Sequence, residues 1–481
     1  MIMKFLDEAF VALRKCFSRD VTHSWFVAMV IGMMIRTDKL GVTSMIRSLG
    51  LAPRYDAAVR MFRSGAWHLE EAEDAWAAFV AEHAPLVRIG GLAVQATDGV
   101  KVCKEGARIP SVKRLHQESG NSSKPDYING HLYGAVGALA EAGGKTYCIP
   151  LACEIQDGAK EIMSWRYGGS GLRQGSHVVE TIRLSYYMGE KLGDSVLLAD
   201  RLFMTIPALE ELDWLNANGG RRMELITPMK CTAVAYEDLP ARTPGTRGRP
   251  RIIGGTVKLY SLFTTMADEF NTAMASVYGR QQEVKCLTVD LRWGKGLYRK
   301  MRFVLASMDG AQIVLACTDT SLDPLAIIEL YARRFTIEST FKAMKQDVAA
   351  FSNRFWTYGM PKLNKSAKSG SPDRATTIAG DYAREKTLEA FDANERYAFC
   401  AVMAIGLLQM LSLRHFADGS ISKIRYQRTP PTSLPSEAAV ADFLRKNIFR
   451  LFANAPDLAT SRKINALMLD PVLIFEKLVA S

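Results

Sequence analysis

The chain has 481 residues, 48% apolar and 9% aromatic, which is enough to bury a sizeable core and too long for one compact domain, so about two to four domains are expected. Its 61 Lys and Arg against 50 Asp and Glu leave a formal charge of +11, which argues against an acidic solvating chain and points to a polyanionic partner without naming it. The 8 cysteines include no C-x-x-C pair and no histidine at zinc-ligand spacing; they read as buried thiols in a reducing compartment, against a disulfide frame or a zinc site. Asp7 and Glu8 come early and no cleavable signal pattern follows, so secretion is not expected.

Residues 1 to about 85 read as helical. Within them Trp25 to Ile35 is apolar but too short to cross a bilayer, and it reads as a buried helix. The stretch GVTSMIRSLGLAPRYDAAVRMFRS, Gly41 to Ser64, holds two short amphipathic pieces about a Leu-Gly-Leu-Ala-Pro turn, with Arg47, Arg54, Arg60 and Arg63 on it. It has the form of a DNA-docking helix-turn-helix, and equally of any basic helical hairpin.

From residue 92 the pattern changes to strands. LAVQATDGVKV, HLYGAVGALA and KTYCIPLACEI are short apolar runs bounded by glycine, and VLLAD, ending at Asp200, is a buried strand between helical segments. Three strands in hairpin order, a helix near Leu172 to Leu192, a strand and a second helix near Pro207 to Asn216 make an α+β layer arrangement, the order of a ribonuclease-H-like fold. Between them the polar, basic segment 111 to 131 places Lys113, Arg114, Lys124 and His131 close in sequence to Asp98; they are expected to line a DNA channel or simply to solvate a loop.

Residues from about 230 to 320 return to alternating apolar segments with glycine breaks, which favours antiparallel hairpins. A basic loop interrupts them, and its Gly248 to Arg251 run, GRPR, resembles a minor-groove hook or a plain basic turn, with Arg249 and Arg251 as its contacts. Trp293 reads as packing in preference to base stacking. A helix is expected from Pro324 to Gln346, then a polar loop over 361 to 381 with few large apolar residues, then helix to the end. The apolar run Tyr397 to Leu413, broken by Gln409 and Ser412, reads as a buried helix, so no membrane partner is expected.

The helix YARRFTIESTFKAMK carries Tyr331, Arg334, Glu338 and Lys345 at offsets of 3, 7 and 14. At about 100° per residue these fall within an arc of roughly 60°, so one face displays a hydroxyl, a guanidinium, a carboxylate and an ammonium. Arg334 and Glu338 alone would read as a solvated ion pair; the full stripe is suited to phosphate and metal together. Asp98-Gly99 alone is a common turn dipeptide, and Asp200 alone is a helix cap. Cleaving a phosphodiester needs an activated water and a stabilised leaving oxygen, and carboxylates sharing two metal ions about 3.5 to 4 Å apart supply both.

This helix resembles the Y-R-E-K signature of bacterial insertion-sequence transposases with a DDE site, in the cut-and-paste group that resolves its ends through DNA hairpins. Asp98 at the end of LAVQAT, and Asp200 followed by Arg201 in LLADRLF, fit the same resemblance, as do the 138 positions from Asp200 to Glu338, where that family carries a β-rich insertion. The resemblance covers most of residues 90 to 350 and implies a ribonuclease-H-like α+β core over 89–229 and 321–358 with the insertion over 230–320; the pattern of the remaining residues adds a helical DNA-binding region over 1–88, a mobile loop over 359–385 and a helical region over 386–481. It implies Asp98, Asp200 and Glu338 as catalytic, metal-holding residues for two Mg²⁺ ions, with Mn²⁺ able to substitute. Tyr331, Arg334, Lys345, Arg201, Lys230, Lys124, His131, Arg249 and Arg251 are the expected DNA contacts. The expected partners are the terminal inverted repeats and target DNA, held by a homodimer on paired ends in the bacterial cytoplasm, at the nucleoid. Two other readings stand beside it: a ribonuclease-H-like nuclease without strand transfer, and a helix-turn-helix regulator whose carboxylates are structural.

Overall fold

The computed structural model describes residues 1–51, 54–117, 125–168, 175–239, 252–364, 373–416 and 434–468. The fold is mixed α+β. Two compact units interleave along the chain: a helical unit of Met1–Pro85, Gly99–His177 and Ser339–Ser481, and a sheet unit of Leu86–Asp98 and Val178–Glu338.

The sheet unit begins on the strand Leu92–Cys103, of which the residues up to Asp98 belong to it. Ser195–Leu198 pairs with this strand in parallel, Ala93 opposite Ser195 and Ala96 opposite Leu198, and Met223–Pro228 pairs in parallel with Ser195–Leu198. All four residues of Ser195–Leu198 are buried, the condition of a parallel strand covered on both faces. The helix Ile206–Asn218 connects the two, started by Thr205, whose side chain accepts the Ala208 N–H, and by a proline in its first turn. Its Ala208, Leu209, Leu212 and Leu215 join Leu197, Met223 and Leu225 in one core.

Beyond Met223–Pro228 the pairing turns antiparallel. Ala311–Cys317 lies against it, then Arg299–Met308, then Arg280–Trp293. Asn271–Val277 and Val234–Tyr236 both pair with Arg280–Trp293, and Thr256–Lys258 with Val234–Tyr236. Met301, Phe303 and Leu305 alternate along their strand into the same core as Leu197 and Leu225, and Trp293 packs against that core partly buried. The β-rich segment thus extends the parallel strands edge to edge.

Where one helix was expected from Pro324 to Gln346, there are two, Pro324–Arg333 and Thr336–Gln346. Asp323 caps the first on the Ala326 N–H. The break has a local cause: the Thr336 hydroxyl donates to the Arg333 carbonyl at 2.8 Å and takes up an acceptor the helix ladder would use. The N–H groups of Arg334, Ile337 and Glu338 then bond three residues back, to Tyr331, Arg334 and Phe335, a single tightened turn.

In the helical unit, Asp20–Ile35 is apolar all round and buried from Thr22 to Ile35, as a core helix must be. Gly41–Ser48 and Tyr55–Arg63 form the expected pair of short helices; Arg47 is paired with Asp38 at 2.6 Å, and Arg63 donates to the Trp356 carbonyl. Tyr127–Ala142 pairs with Lys145–Ile155 through the two-residue turn Gly143-Gly144, both at positive φ, which is the backbone that such a tight hairpin requires. Asp381–His415 runs for 35 residues. Among the described residues it is the one helix long and apolar enough to cross a membrane, and its apolar window is wholly buried.

Candidate active site

Asp98 does not end its strand, as the turn-forming dipeptide Asp98-Gly99 led one to expect. The strand continues to Cys103, and Asp98 is the first of its residues, after six buried ones, to reach partial exposure. Asp200 follows Ser195–Leu198 directly and caps the single turn Arg201–Phe203 through the Arg201 N–H, so the capping role is real. Thr227, fully buried in the neighbouring strand, donates its hydroxyl to the Asp200 carbonyl at 2.8 Å and fixes the chain there. That threonine was not anticipated; with Glu224 it is one of two polar residues inside the buried run MELITP, and that was its signal. Asp98 and Asp200 each stand two residues past the Ala96–Leu198 pair of adjacent parallel strands, Asp98 still in its strand and Asp200 just beyond the end of its own.

The turn between the two helices delivers Arg334. Its residue is 8% exposed, and its Nη1 lies 3.4 Å from Asp98 Oδ2 and 3.3 Å from Glu338 Oε1. The two distances together cap the separation of those oxygens at 6.7 Å. Burial opposes the charge of Arg334, yet Asp98, Tyr331, Asp200 and Glu338 hold its guanidinium above the ordinary arginine value. Tyr331, half-buried, has its hydroxyl pushed up by burial, with Arg334 pulling it down and Asp200 pushing it further up. Arg334 is therefore the hub to which Asp98, Asp200, Glu338 and Tyr331 are electrostatically joined. The ion pair of the bland reading is present; its arginine is buried, and Asp98 shares it.

The donors are all carboxylate oxygens, the chemistry that Mg²⁺ and Mn²⁺ accept, with no soft ligand among them. Asp98 and Glu338 already share a cation and Asp200 acts on the same one, so the donor set fits a divalent ion in kind. Among the described residues, no three His, Cys, Asp or Glu side chains are drawn together tightly enough to hold a metal. A guanidinium keeps oxygens farther apart than a metal ion would, because metal–oxygen distances are only about 2.1 Å.

The remaining expected contacts divide. Arg201 and Lys230 are exposed in the sheet unit, and Lys345 is exposed on Thr336–Gln346, seven residues past Glu338. His131 is a correction: it is fully buried, its Nε2 2.8 Å from the Pro110 carbonyl and its Nδ1 3.2 Å from the Tyr133 hydroxyl. Burial and the nearby Lys104 charge push it down to about 3, so it is a neutral packing group and offers DNA no charge. Lys113 is paired with Asp157, and Arg114 lies over the Tyr127 ring. Lys124, Arg249 and Arg251 fall outside the described residues. The cysteines are free as expected, but Cys103 and Cys231 are exposed.

No protein-family model matches the chain, and no curated protein matches it.

Proposed function

We propose that the chain is a DNA transposase of the DDE kind, which cleaves the ends of a mobile element and joins them to target DNA in the bacterial cytoplasm. One observation carries the reading: Asp98 on its strand and Asp200 just past the end of the parallel neighbour each lie two residues beyond the Ala96–Leu198 pair, and Arg334 binds Asp98 and Glu338 at once. With it goes a ribonuclease-H-like core, in which the aspartate-bearing strand Leu92–Cys103 has parallel neighbours in the sheet unit and continues, as Gly99–Cys103, beside Tyr127–Ala142 in the helical unit.

Two Mg²⁺ ions held by such carboxylates activate a water and stabilise the leaving oxygen of a phosphodiester. The chain's own contributions follow from its residues. Asp98, Asp200 and Glu338 would supply the negative charge to hold such ions. Arg334 meets phosphate oxygens as a two-pronged donor. Tyr331 donates a hydrogen bond beside them.

The test is Mg²⁺-dependent nicking of DNA carrying the ends of the surrounding element, by the wild type and Glu338→Gln at matched fold by circular dichroism. The amide keeps the size of Glu338 and removes its charge, so DNA binding is expected to survive while nicking falls on the order of a hundredfold or more. If Glu338 is only the exposed partner of a salt bridge, its loss costs under about 1 kcal/mol of stability and nicking is unchanged. Equal nicking would end this reading.

A further inference from the structure

We infer that Arg334 is an internal counterion for the acidic site, which a divalent metal must displace and a DNA phosphate draws away, so that metal and DNA bind cooperatively. The inference rests on the proposed DNA-cleaving reading, and it concerns the order in which the site fills.

The contacts of Arg334 set it apart from the other buried arginines. Arg396 reaches the carbonyls of Ser64 and Trp67 at 2.9 and 2.7 Å, and Arg36 reaches the Asp38 carbonyl at 2.7 Å and the Tyr397 hydroxyl at 3.1 Å. Those are short, directed bonds that lock a side chain. Arg334 instead meets carboxylates at 3.3, 3.4 and 3.5 Å, beyond the roughly 2.7 to 2.9 Å of a well-made charge-assisted hydrogen bond. It is held by charge more than by geometry. Leaving those carboxylates uncompensated would be costly, so the guanidinium moves only when a metal ion takes its place and another anion receives it; until then it relieves the repulsion between Asp98 and Glu338.

A metal ion and this guanidinium cannot use the same oxygens together. One ion bound by both oxygens brings them within about 4.2 Å, twice a metal–oxygen distance, and a double positive charge there repels the guanidinium. The planar fork of arginine matches a phosphate's paired oxygens, so the displaced side chain has a destination once DNA is present. Phosphate thus frees the carboxylates for metal, and metal frees Arg334 for phosphate. Linkage makes the two enhancements equal.

The experiment titrates Mn²⁺ into the full chain and reads the free ion by electron paramagnetic resonance. It is done with and without a 20-base-pair duplex of arbitrary sequence, after subtracting the Mn²⁺ held by the duplex alone. Wild type without DNA is expected to bind weakly, at a site lost in Glu338→Gln. Arg334→Gln removes the competing charge and is expected to bind Mn²⁺ about tenfold more tightly without DNA, and to lose most of the tightening that the duplex gives wild type. Unchanged or weaker Mn²⁺ binding by Arg334→Gln, or equal tightening by the duplex in both chains, overturns the inference while leaving the metal site intact. Absence of any Glu338-dependent Mn²⁺ site, with or without the duplex, sinks the proposed function itself. Should Arg334→Gln fail to fold, wild type alone decides: the inference falls if the duplex leaves its Mn²⁺ affinity unchanged.

Discussion

Buried carboxylates give the helical unit a pH dependence separate from any chemistry at Arg334. Glu73 is 1% exposed; burial, then the charges of Glu154 and Glu395 and a carboxyl–carboxyl contact with Glu154, push its carboxyl well above the usual range. Glu395 is pushed up to about 8 by burial, with Glu154 and Asp392 adding to it against the pull of Arg166 and the Ile155 N–H. Both groups are raised in the folded chain, so the stability they lend is fully present below the unfolded value of 4.5 and is lost as pH rises towards about 8. Their contribution to the melting temperature therefore falls between pH 5 and 8.5, while buried His23 and His131, held neutral, add stability up to the unfolded value of 6.5. Glu395→Gln keeps an oxygen for the Ile155 N–H and cannot ionise, so its melting temperature should rise relative to that of the wild type over that range. Parallel curves for the two chains would remove Glu395 from the account. None of this was legible in the sequence, where Glu73, Glu154 and Glu395 are ordinary acidic residues hundreds of positions apart or on unrelated segments. Arg334 and Glu338 were legible from their spacing on one helix, whereas Asp98 and Asp200, each an ordinary turn or cap residue alone, were grouped with them only through the resemblance to DDE transposases. That Arg334 bridges Asp98 was not legible, since the pair is 236 positions apart and only the folded sheet makes it.

At the scale of elements, periodicity was informative where one residue class dominated a segment. The apolar runs Asp20–Ile35 and Ser195–Leu198 are buried as their composition demands, and the Gly143-Gly144 turn follows from backbone freedom alone. Two junctions escaped. Asp98-Gly99 has the chemistry of a turn, but pairing on the sheet holds it extended. The stripe on YARRFTIESTFKAMK was drawn on an unbroken helix, and a single threonine hydroxyl breaks it. Close packing of elements is also invisible to periodicity. Gly406, inside Asp381–His415, faces Trp76, and a Cβ there would stand 2.4 Å from the indole ring. The indole cannot retreat freely, because its N–H is bonded to the Pro150 carbonyl at 2.9 Å. Gly406→Ala gains helix propensity of about 1 kcal/mol but must displace a pinned aromatic, an overpacking cost of about 1 to 3 kcal/mol. A net loss of stability in urea denaturation is expected; a more stable variant would mean the indole yields.

At the scale of the whole molecule, the excess of 61 basic over 50 acidic side chains is diffuse, and composition alone could not say which surface meets a polyanion. Nor could it show that the two compact units interleave, because residues 86–98 and 178–338 belong together only through strand pairing. What charge does predict is the form of binding. If basic side chains displace counterions from phosphates, affinity for duplex DNA should fall steeply with salt, with a slope of about −0.9 per phosphate contacted. If the chain joins two element ends as proposed, that adds a requirement that charge does not: a cut made before both ends are held would leave broken DNA, so cleavage should wait for a paired assembly. The expected complex is therefore two chains on two DNA ends, with cleavage appearing only at protein concentrations that form it. Sedimentation of the chain with end DNA, at a salt concentration where single ends still bind, measures the stoichiometry while nicking is assayed on the same samples. Full cleavage in a complex of one chain on one duplex would leave DNA cutting in place and remove the paired assembly, turning the choice toward a nuclease that cuts without joining.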